Sequence, residues 1–179
     1  ASVFRVDAIG KGVENLKEGD IVLSMGKHAS RQHTAAEETV LVAPSLSPEK
    51  ATIARLMGVS LTTLMTTAAR PGETVLVVGA GPVGYLAAHQ FLLSGYDVHV
   101  AEPVAERREM IKKSGIINVH ANTSEAKEHL FDQVALVAEC SGNENAILES
   151  CQMSRRGAEV VLIGVPQTTG NSLPMEELL

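Results

Sequence analysis

The feature that most constrains the fold is a glycine-rich loop at residues 79–84, which reads GAGPVG. It directly follows a β-branched run at residues 74–78 and precedes residues 82–94, where apolar side chains recur at helical spacing. A strand, a tight glycine turn and a helix in this order predict a dinucleotide-binding loop, because the free N–H groups at the helix start face phosphate oxygens. The motif alone is a common turn, so the flanking strand and helix carry the prediction.

The three glycines of the loop have separate predicted tasks. Gly79 permits the tight turn, and Gly81 removes a side chain so that the backbone can approach a pyrophosphate. Gly84 lets the helix pack closely on the strand.

A carboxylate at the end of the next predicted strand bears on the choice of dinucleotide. Glu102 lies 18 residues after Gly84 and follows the strand predicted at residues 97–101. A carboxylate there accepts hydrogen bonds from the adenosine ribose and repels a 2′-phosphate, which predicts NAD. Arg107 and Arg108 leave NADP open as the less favoured alternative, since arginine recognises a 2′-phosphate; otherwise they form a solvated helix face.

Composition and charge exclude several classes of function. Hydrophobic residues make up 45% of the 179 residues and aromatic residues only 3%, which suits an aliphatic core with buried parallel strands. The net charge is -6 without any basic block, so we expect no nucleic-acid binding. The apolar runs are only as long as strands, too short to cross a membrane, and no signal peptide is visible. The spacing of Cys140 and Cys151 fits no zinc or redox motif. We therefore expect a cytoplasmic protein that binds no membrane.

The chain reads as two domains. Residues 1–45 show short β segments and turns without helical periodicity, whereas residues 46–179 alternate between strands and helices, beginning with a helix that is capped by Ser47 and runs through Met57. The alternation predicts an α/β fold with a doubly wound parallel sheet preceded by part of a β-rich domain. Strands are predicted at 74–78, 97–101, 117–119, 133–139 and 159–165, and later helices at 82–94, 105–114 and 143–153.

Four motifs in a fixed order resemble a known family. They are G-V…L-K-E-G-D-I-V at 12–22, P-G-E-T-V-L-V before the glycine loop, E-C-S-G at 139–142 and L-I-G-V-P at 162–166. Together they resemble the medium-chain dehydrogenase/reductase family of the zinc-type alcohol, sorbitol and threonine dehydrogenases, over nearly the whole chain. In that alignment the chain starts partway through a GroES-like β-domain and stops soon after the fifth strand of a Rossmann domain. We therefore expect a fragment of a longer enzyme, homo-oligomeric when complete.

The resemblance implies roles for the matching residues, whose turns lie at the carboxyl ends of predicted parallel strands, where open α/β sheets bind ligands. The pyrophosphate would be bound by Gly79, Gly81, Pro82, Val83 and Gly84, the adenosine ribose by Glu102 and Arg107, the cofactor groove would be lined by Cys140, Ser141 and Gly142, and the nicotinamide end would contact Ile163, Gly164 and Val165. Cys140 is equally well explained as a small buried hydrophobic residue.

The sequence departs from this family at its zinc ligands. The family's first catalytic ligands would precede Ala1, and a further Cys or Asp is absent from residues 51–63. The four-cysteine structural loop is also missing, since residues 26–34 contain only His28 and His33 as candidate ligands. We therefore predict no metal site and no bound zinc.

The expected function is an NAD(H)-dependent oxidoreductase that transfers hydride between nicotinamide and a small alcohol or carbonyl substrate. No catalytic residue is assigned: a hydroxyl of Thr62 or Thr63 could polarise the substrate oxygen, but helix packing explains these residues better. Two alternatives remain open. One is a non-catalytic NAD(H)-binding module, and the other is a zinc-free quinone or enoyl reductase that uses NADPH.

Overall fold

The computed structural model describes residues 1–165, so the end of the second predicted domain, residues 166–179, lies outside the described part. The chain divides into two compact units, and the first spans Ala1–Arg55. No helix in the described part is long and apolar enough to cross a membrane.

The first unit contains three short antiparallel strands in the order β1-β2-β3. Their bounds are Ser2–Arg5 for β1, Ile21–Ser24 for β2 and Thr39–Leu41 for β3, and a short 3-10 turn at Ala36–Glu38 precedes the last. In β2, Val22 and Ser24 are buried while the alternating residues Ile21 and Leu23 are partly exposed, as expected for a strand with one covered face. This small antiparallel sheet confirms the β-rich character predicted for the start of the chain.

The helix predicted from Ser47 onward is two helices. The first, α1, spans Pro48–Ala51, and the Ser47 hydroxyl accepts the Lys50 N–H at 3.4 Å, as the capping pattern predicts. The second, α2, spans Ala54–Thr66 and continues well past the predicted end. The β-branched residues at 52 and 53, which fit a helix less readily, lie at the break.

The second unit is built on a five-stranded parallel sheet in the order β6-β5-β4-β7-β8. The strands are β4 (Thr74–Val78), β5 (Asp97–Ala101), β6 (Asn118–His120), β7 (Val134–Glu139) and β8 (Ser154–Leu162). The helices between them are α3 (Pro82–Leu93), α4 (Ala105–Lys113), α5 (Thr123–Leu130) and α6 (Glu144–Met153). With β4 in the centre and the chain winding outward on both sides, the sheet confirms the doubly wound α/β prediction.

The central strand β4 is buried on both faces. Val75 and Val77 belong to one apolar cluster and Leu76 and Val78 to another, and all four are at most 3% exposed. Since successive side chains of a strand point to opposite faces, the two clusters are the cores beneath the two helix layers. This double burial explains why the segment before the glycine loop is a continuous apolar run.

Helix α5 was missing from the sequence prediction. Asn122 caps it by accepting the Glu125 N–H at 2.8 Å, and the Glu125 carboxylate accepts the Ala121 N–H in return at 2.5 Å. The pair is related to a capping box, except that Glu125 accepts the N–H of the residue before the N-cap, and its N-x-x-E signature is visible in the sequence.

The last described strand begins earlier than predicted. Strand β8 starts at Ser154, directly after α6, and ends at Leu162, whereas the apolar pattern predicted residues 159–165. Ser154 pairs with Val134, and the register then shifts before regular pairing resumes at Glu159. The sequence pattern does not predict the start of the strand because residues 155–157 are polar and exposed and therefore lack the apolar side chains by which a buried strand is recognised.

Candidate dinucleotide-binding site

The turn after β4 has the geometry for which the sequence predicted glycines. Gly79 has a φ of +87°, and a Cβ atom built on it would lie 3.0 Å from Cβ of Ser141. A Cβ atom on Gly84 would overlap the carbonyl oxygen of Gly79. A Cβ atom on Gly81 would meet nothing within 4 Å, so the fold itself leaves the space above Gly81 open.

The helix that follows this turn begins with unpaired donors. Gly81 is the N-cap residue of α3 and supplies no capping side chain. Within residues 1–165 no acceptor takes the N–H groups of Gly81, Val83 or Gly84, and Pro82 has no N–H group. Three free N–H groups at the positive end of a 12-residue helix form a binding surface suited to phosphate oxygens.

Glu102 lies beside this loop, as predicted, but its carboxylate points inward. The side chain is 2% exposed, and its two oxygens accept the N–H groups of Ala80 at 2.6 Å and Val104 at 2.8 Å. Arg107 places Nη1 3.8 Å from the same carboxylate and is half exposed. Arg108 instead donates to the carbonyl oxygens of Glu102 and Pro103 at 2.9 and 2.7 Å, so it stabilises the turn.

The turn after β7 packs against the glycine-rich loop at residues 79–84, which is the candidate phosphate loop. The Cys140 N–H donates to the carbonyl oxygen of Val78 at 2.8 Å, and Gly142 has a φ of +69°. Burial, together with the negative charge of Glu139, raises the pKa of the Cys140 thiol to about 12. The thiol is therefore an inert packing group at neutral pH.

Glu139 lies at the candidate site and is a residue to which the sequence analysis assigns no role. It belongs to the E-C-S-G motif, yet only the three residues after it received roles. Its side chain is fully buried at the end of the apolar strand β7, and it accepts the backbone N–H groups of Ser141 at 2.6 Å and Gly142 at 2.9 Å. The signal that could have revealed it is a lone acid ending a run of buried aliphatic residues, since such an acid needs donors nearby.

The turn after β8 meets the turn after β7. The N–H groups of Ile163 and Gly164 both donate to the backbone carbonyl oxygen of Glu139, at 2.8 and 2.7 Å. A Cβ atom on Gly164 would lie 2.5 Å from the Gly142 nitrogen, so only glycine fits this crossing, whereas Val165 is exposed. The predicted residues at 79–84, 102, 140–142 and 163–165 therefore gather along the carboxyl edge of one sheet.

The two hydroxyl candidates lie on α2. Thr62 donates to the carbonyl oxygen of Gly58 at 3.2 Å, and Thr63 is 4% exposed. These contacts fit the helix-packing interpretation.

The described part of the chain does not fit a zinc ion. Among residues 1–165 no group of three or more His, Cys, Asp or Glu side chains could hold a metal, whereas zinc takes three or four protein ligands.

Comparison with known proteins identifies relatives by sequence. The family model for zinc-binding dehydrogenases matches residues 82–179. Sorbitol dehydrogenase from Bacillus subtilis is 32% identical over 144 residues, which cover 75% of this chain and 40% of that protein. The chain spans less than half of the length of the curated relatives it matches.

Solved structures agree in fold. Galactitol-1-phosphate dehydrogenase from Escherichia coli superimposes with a TM-score of 0.83 at 16% identity, covering 98% of this chain and 61% of that one. Escherichia coli quinone oxidoreductase complexed with NADPH superimposes with a TM-score of 0.79 at 23% identity, covering 97% and 57%. At these identities the likeness concerns the fold alone. The sequence match over residues 82–179 covers more than half of the chain, and the chain therefore belongs to the zinc-binding dehydrogenase family of medium-chain dehydrogenases/reductases.

Proposed function

We propose that this chain binds NAD(H) as part of an oxidoreductase that acts on an alcohol/carbonyl pair. The observation that carries the proposal is the set of three N–H groups at Gly81, Val83 and Gly84 that have no acceptor within residues 1–165, in a loop with open space above Gly81. The bound cofactor would supply the hydride donor or acceptor at its nicotinamide ring. The chain's own residues bind and orient the dinucleotide.

The order of the strands supports a direction for the bound dinucleotide. Neighbouring strands lie about 4.8 Å apart, so an extended dinucleotide crosses several strand ends. Its adenosine half would lie at the end of β5, beside Glu102 and Arg107, and its pyrophosphate at the end of β4. Its nicotinamide half would lie at β7 and β8, against the backbone of residues 140–142 and 163–165.

NAD is proposed over NADP because of Glu102. Its carboxylate lies at the end of β5, beneath the loop, where its negative charge opposes a 2′-phosphate. The positive charge of Arg107, which is half exposed beside the carboxylate, would instead attract a 2′-phosphate. The buried acid outweighs it in our proposal because a charge removed from water is screened less than an exposed one.

A zinc-free reductase that uses NADPH is the second candidate. It is favoured by the lack of a three-ligand cluster within residues 1–165 and by the likeness in fold to the quinone oxidoreductase. Cofactor preference separates the candidates, since the first predicts NADH and the second NADPH.

The test is a titration of the chain with NADH and NADPH, followed by nicotinamide fluorescence, with turnover assays of the longer protein on alcohols, aldehydes, ketones and quinones. Tighter binding of NADH with turnover of alcohols or carbonyls would support the main proposal. Tight binding without turnover would support a non-catalytic NAD(H)-binding module. Failure to bind either dinucleotide would overturn the proposal.

A further inference from the structure

The carboxylate of Glu139 accepts more hydrogen bonds from the protein than a carboxylate at the surface usually does. One oxygen accepts the backbone N–H and the hydroxyl group of Ser141 and the N–H of Gly142, and the other oxygen lies 3.1 Å from the same Gly142 nitrogen. The side chain is 0% exposed. Every described donor to this carboxylate comes from the turn that follows β7, so the conformation of that turn depends on the charge and shape of one side chain.

The same residue also fixes the neighbouring turn. Its backbone carbonyl oxygen accepts the N–H groups of Ile163 and Gly164, and a Cβ atom on Gly164 would lie 2.8 Å from its carboxylate. On the other side, Ser141 lies against Gly79 of the phosphate loop. Glu139 therefore connects three of the turns that form the candidate groove.

We propose that Glu139 is a positioning residue that holds the Cys140–Gly142 turn, and with it the nicotinamide half of the groove, at a set distance from the phosphate loop. The proposal rests on the proposed dinucleotide binding. It predicts that a defect at Glu139 weakens binding of the whole dinucleotide and spares the adenosine half, which lies at the far side of β4 beside Glu102.

Glu139→Gln is the informative change because it keeps the shape of the side chain. An amide has one oxygen acceptor and one NH2 donor, so with its oxygen in the place that accepts the three donors of the turn, its NH2 group would face the Gly142 N–H, which is also a donor. The turn must then move, and its remaining hydrogen bonds lose the strength that a charged acceptor gives them. The matched control is Glu159→Gln on β8, since the Glu159 carboxylate likewise accepts a hydroxyl from Thr67 at 2.6 Å and a backbone N–H from Ala68 at 2.9 Å.

The experiment measures dissociation constants of wild type and both variants for NADH and for 5′-AMP, with thermal melting followed by circular dichroism. For Glu139→Gln we expect NADH binding to weaken by about tenfold or more, and 5′-AMP binding to stay within about twofold. Glu159→Gln should leave both affinities unchanged. A merely structural role would not separate the two ligands.

Three results would overturn the proposal. NADH affinity of Glu139→Gln within twofold of wild type would show that the turn does not depend on the charge, and would leave the proposed function intact. An equal loss for both ligands would show a general structural defect. Wild type that binds neither NADH nor NADPH would overturn the proposed function itself, and this inference with it.

If Glu139→Gln does not fold, Ser141→Ala carries the same test, because it removes only the hydroxyl that donates to the carboxylate. A loss of NADH affinity that is smaller than in Glu139→Gln, with unchanged 5′-AMP affinity, supports the proposal. An NADH affinity equal to that of wild type contradicts it.

Discussion

The backbone N–H of Ala80 donates a hydrogen bond of 2.6 Å to the carboxylate of Glu102. This contact joins the candidate phosphate loop to the end of the neighbouring strand. The other oxygen of the same carboxylate accepts the backbone N–H of Val104. Glu102 therefore has two roles, since it shapes the loop and places a negative charge beside the predicted ribose position. A substitution meant to test the charge must preserve the shape.

The first prediction concerns dinucleotide preference. The negative charge of Glu102 opposes a 2′-phosphate, so wild type should prefer NADH over NADPH by about ten- to a hundredfold. Glu102→Gln should narrow this preference, most at low salt, where charge is screened least. Fluorescence titrations with both dinucleotides at two salt concentrations measure the change. Equal affinity of wild type for both would refute the assignment of Glu102.

The two arginines of α4 provide a matched control for this prediction. In the Glu102→Gln background, Arg107→Ala should lower the affinity for NADPH, because Arg107 is half exposed beside the acid. Arg108→Ala should leave the preference between dinucleotides unchanged, since its guanidinium is bound to carbonyl oxygens of the turn. A larger change of preference in Arg108→Ala would reverse this assignment.

The second prediction concerns the phosphate loop. Gly81→Val should weaken NADH binding by about tenfold or more, because a branched side chain would occupy the place where the pyrophosphate meets the backbone. The fold should persist, since a Cβ atom at Gly81 meets no protein atom within 4 Å. Gly10→Val is the control, because a Cβ atom at Gly10 is equally unobstructed. Unchanged NADH affinity of Gly81→Val, with an unchanged circular dichroism spectrum, would show that the loop is only a turn.

The third prediction concerns Cys140. With a thiol pKa of about 12, caused by burial and by the charge of Glu139, only roughly 1 in 10,000 thiols is ionised at pH 8. In a Cys151→Ser background, alkylation by iodoacetamide at pH 8 should be at least about a hundredfold slower than in the urea-unfolded chain. Mass spectrometry measures the rate. Equal rates in the folded and unfolded chain would contradict the burial of this thiol.

The fourth prediction concerns stability at mildly acidic pH. His99 and His120 stack with their ring centroids 5.3 Å apart, and His129 of α5 stacks on His120. Burial lowers the pKa of His99 and of His120 below 6.5; neighbouring histidines lower both values further, while Asp97 opposes the shift at His99 and Glu125 at His120. The unfolded chain then binds more protons, so the free energy of unfolding should fall as pH decreases below about 6.5.

Urea denaturation between pH 5 and 8 measures this pH dependence. His120→Gln should reduce it, whereas His33→Gln, at an exposed position of the first unit, should leave it unchanged. Some dependence should remain in His120→Gln, because burial also lowers the pKa of His89. A pH dependence identical to wild type in His120→Gln would rule out the histidine stack as its source.

The fifth prediction concerns metal. The purified chain should hold well below one zinc per molecule, because zinc requires three or four protein ligands and residues 1–165 offer no cluster of that size. Metal analysis after dialysis checks this, and one tightly held zinc per chain would contradict it.

The local pattern of the sequence determined most of the second unit. The buried strand β4 reads as a continuous aliphatic run, and Gly79 and Gly84 stand where the turn and the helix packing admit no side chain. The N-x-x-E capping signature of α5 is also present in the sequence. These elements are predictable because their causes lie within a few residues of one another.

Only the tertiary structure decided which acids are buried and what they bind. Glu102 reaches Ala80 across 22 positions of sequence, and the backbone of Glu139 reaches Gly164 across a helix and a strand. Such contacts depend on which strands are neighbours and in what register they pair, and strand order is not encoded in any short segment. The sequence by itself therefore determined where the phosphate loop lies, whereas the packing of β5, β7 and β8 around β4 decided which carboxylates shape the groove around it.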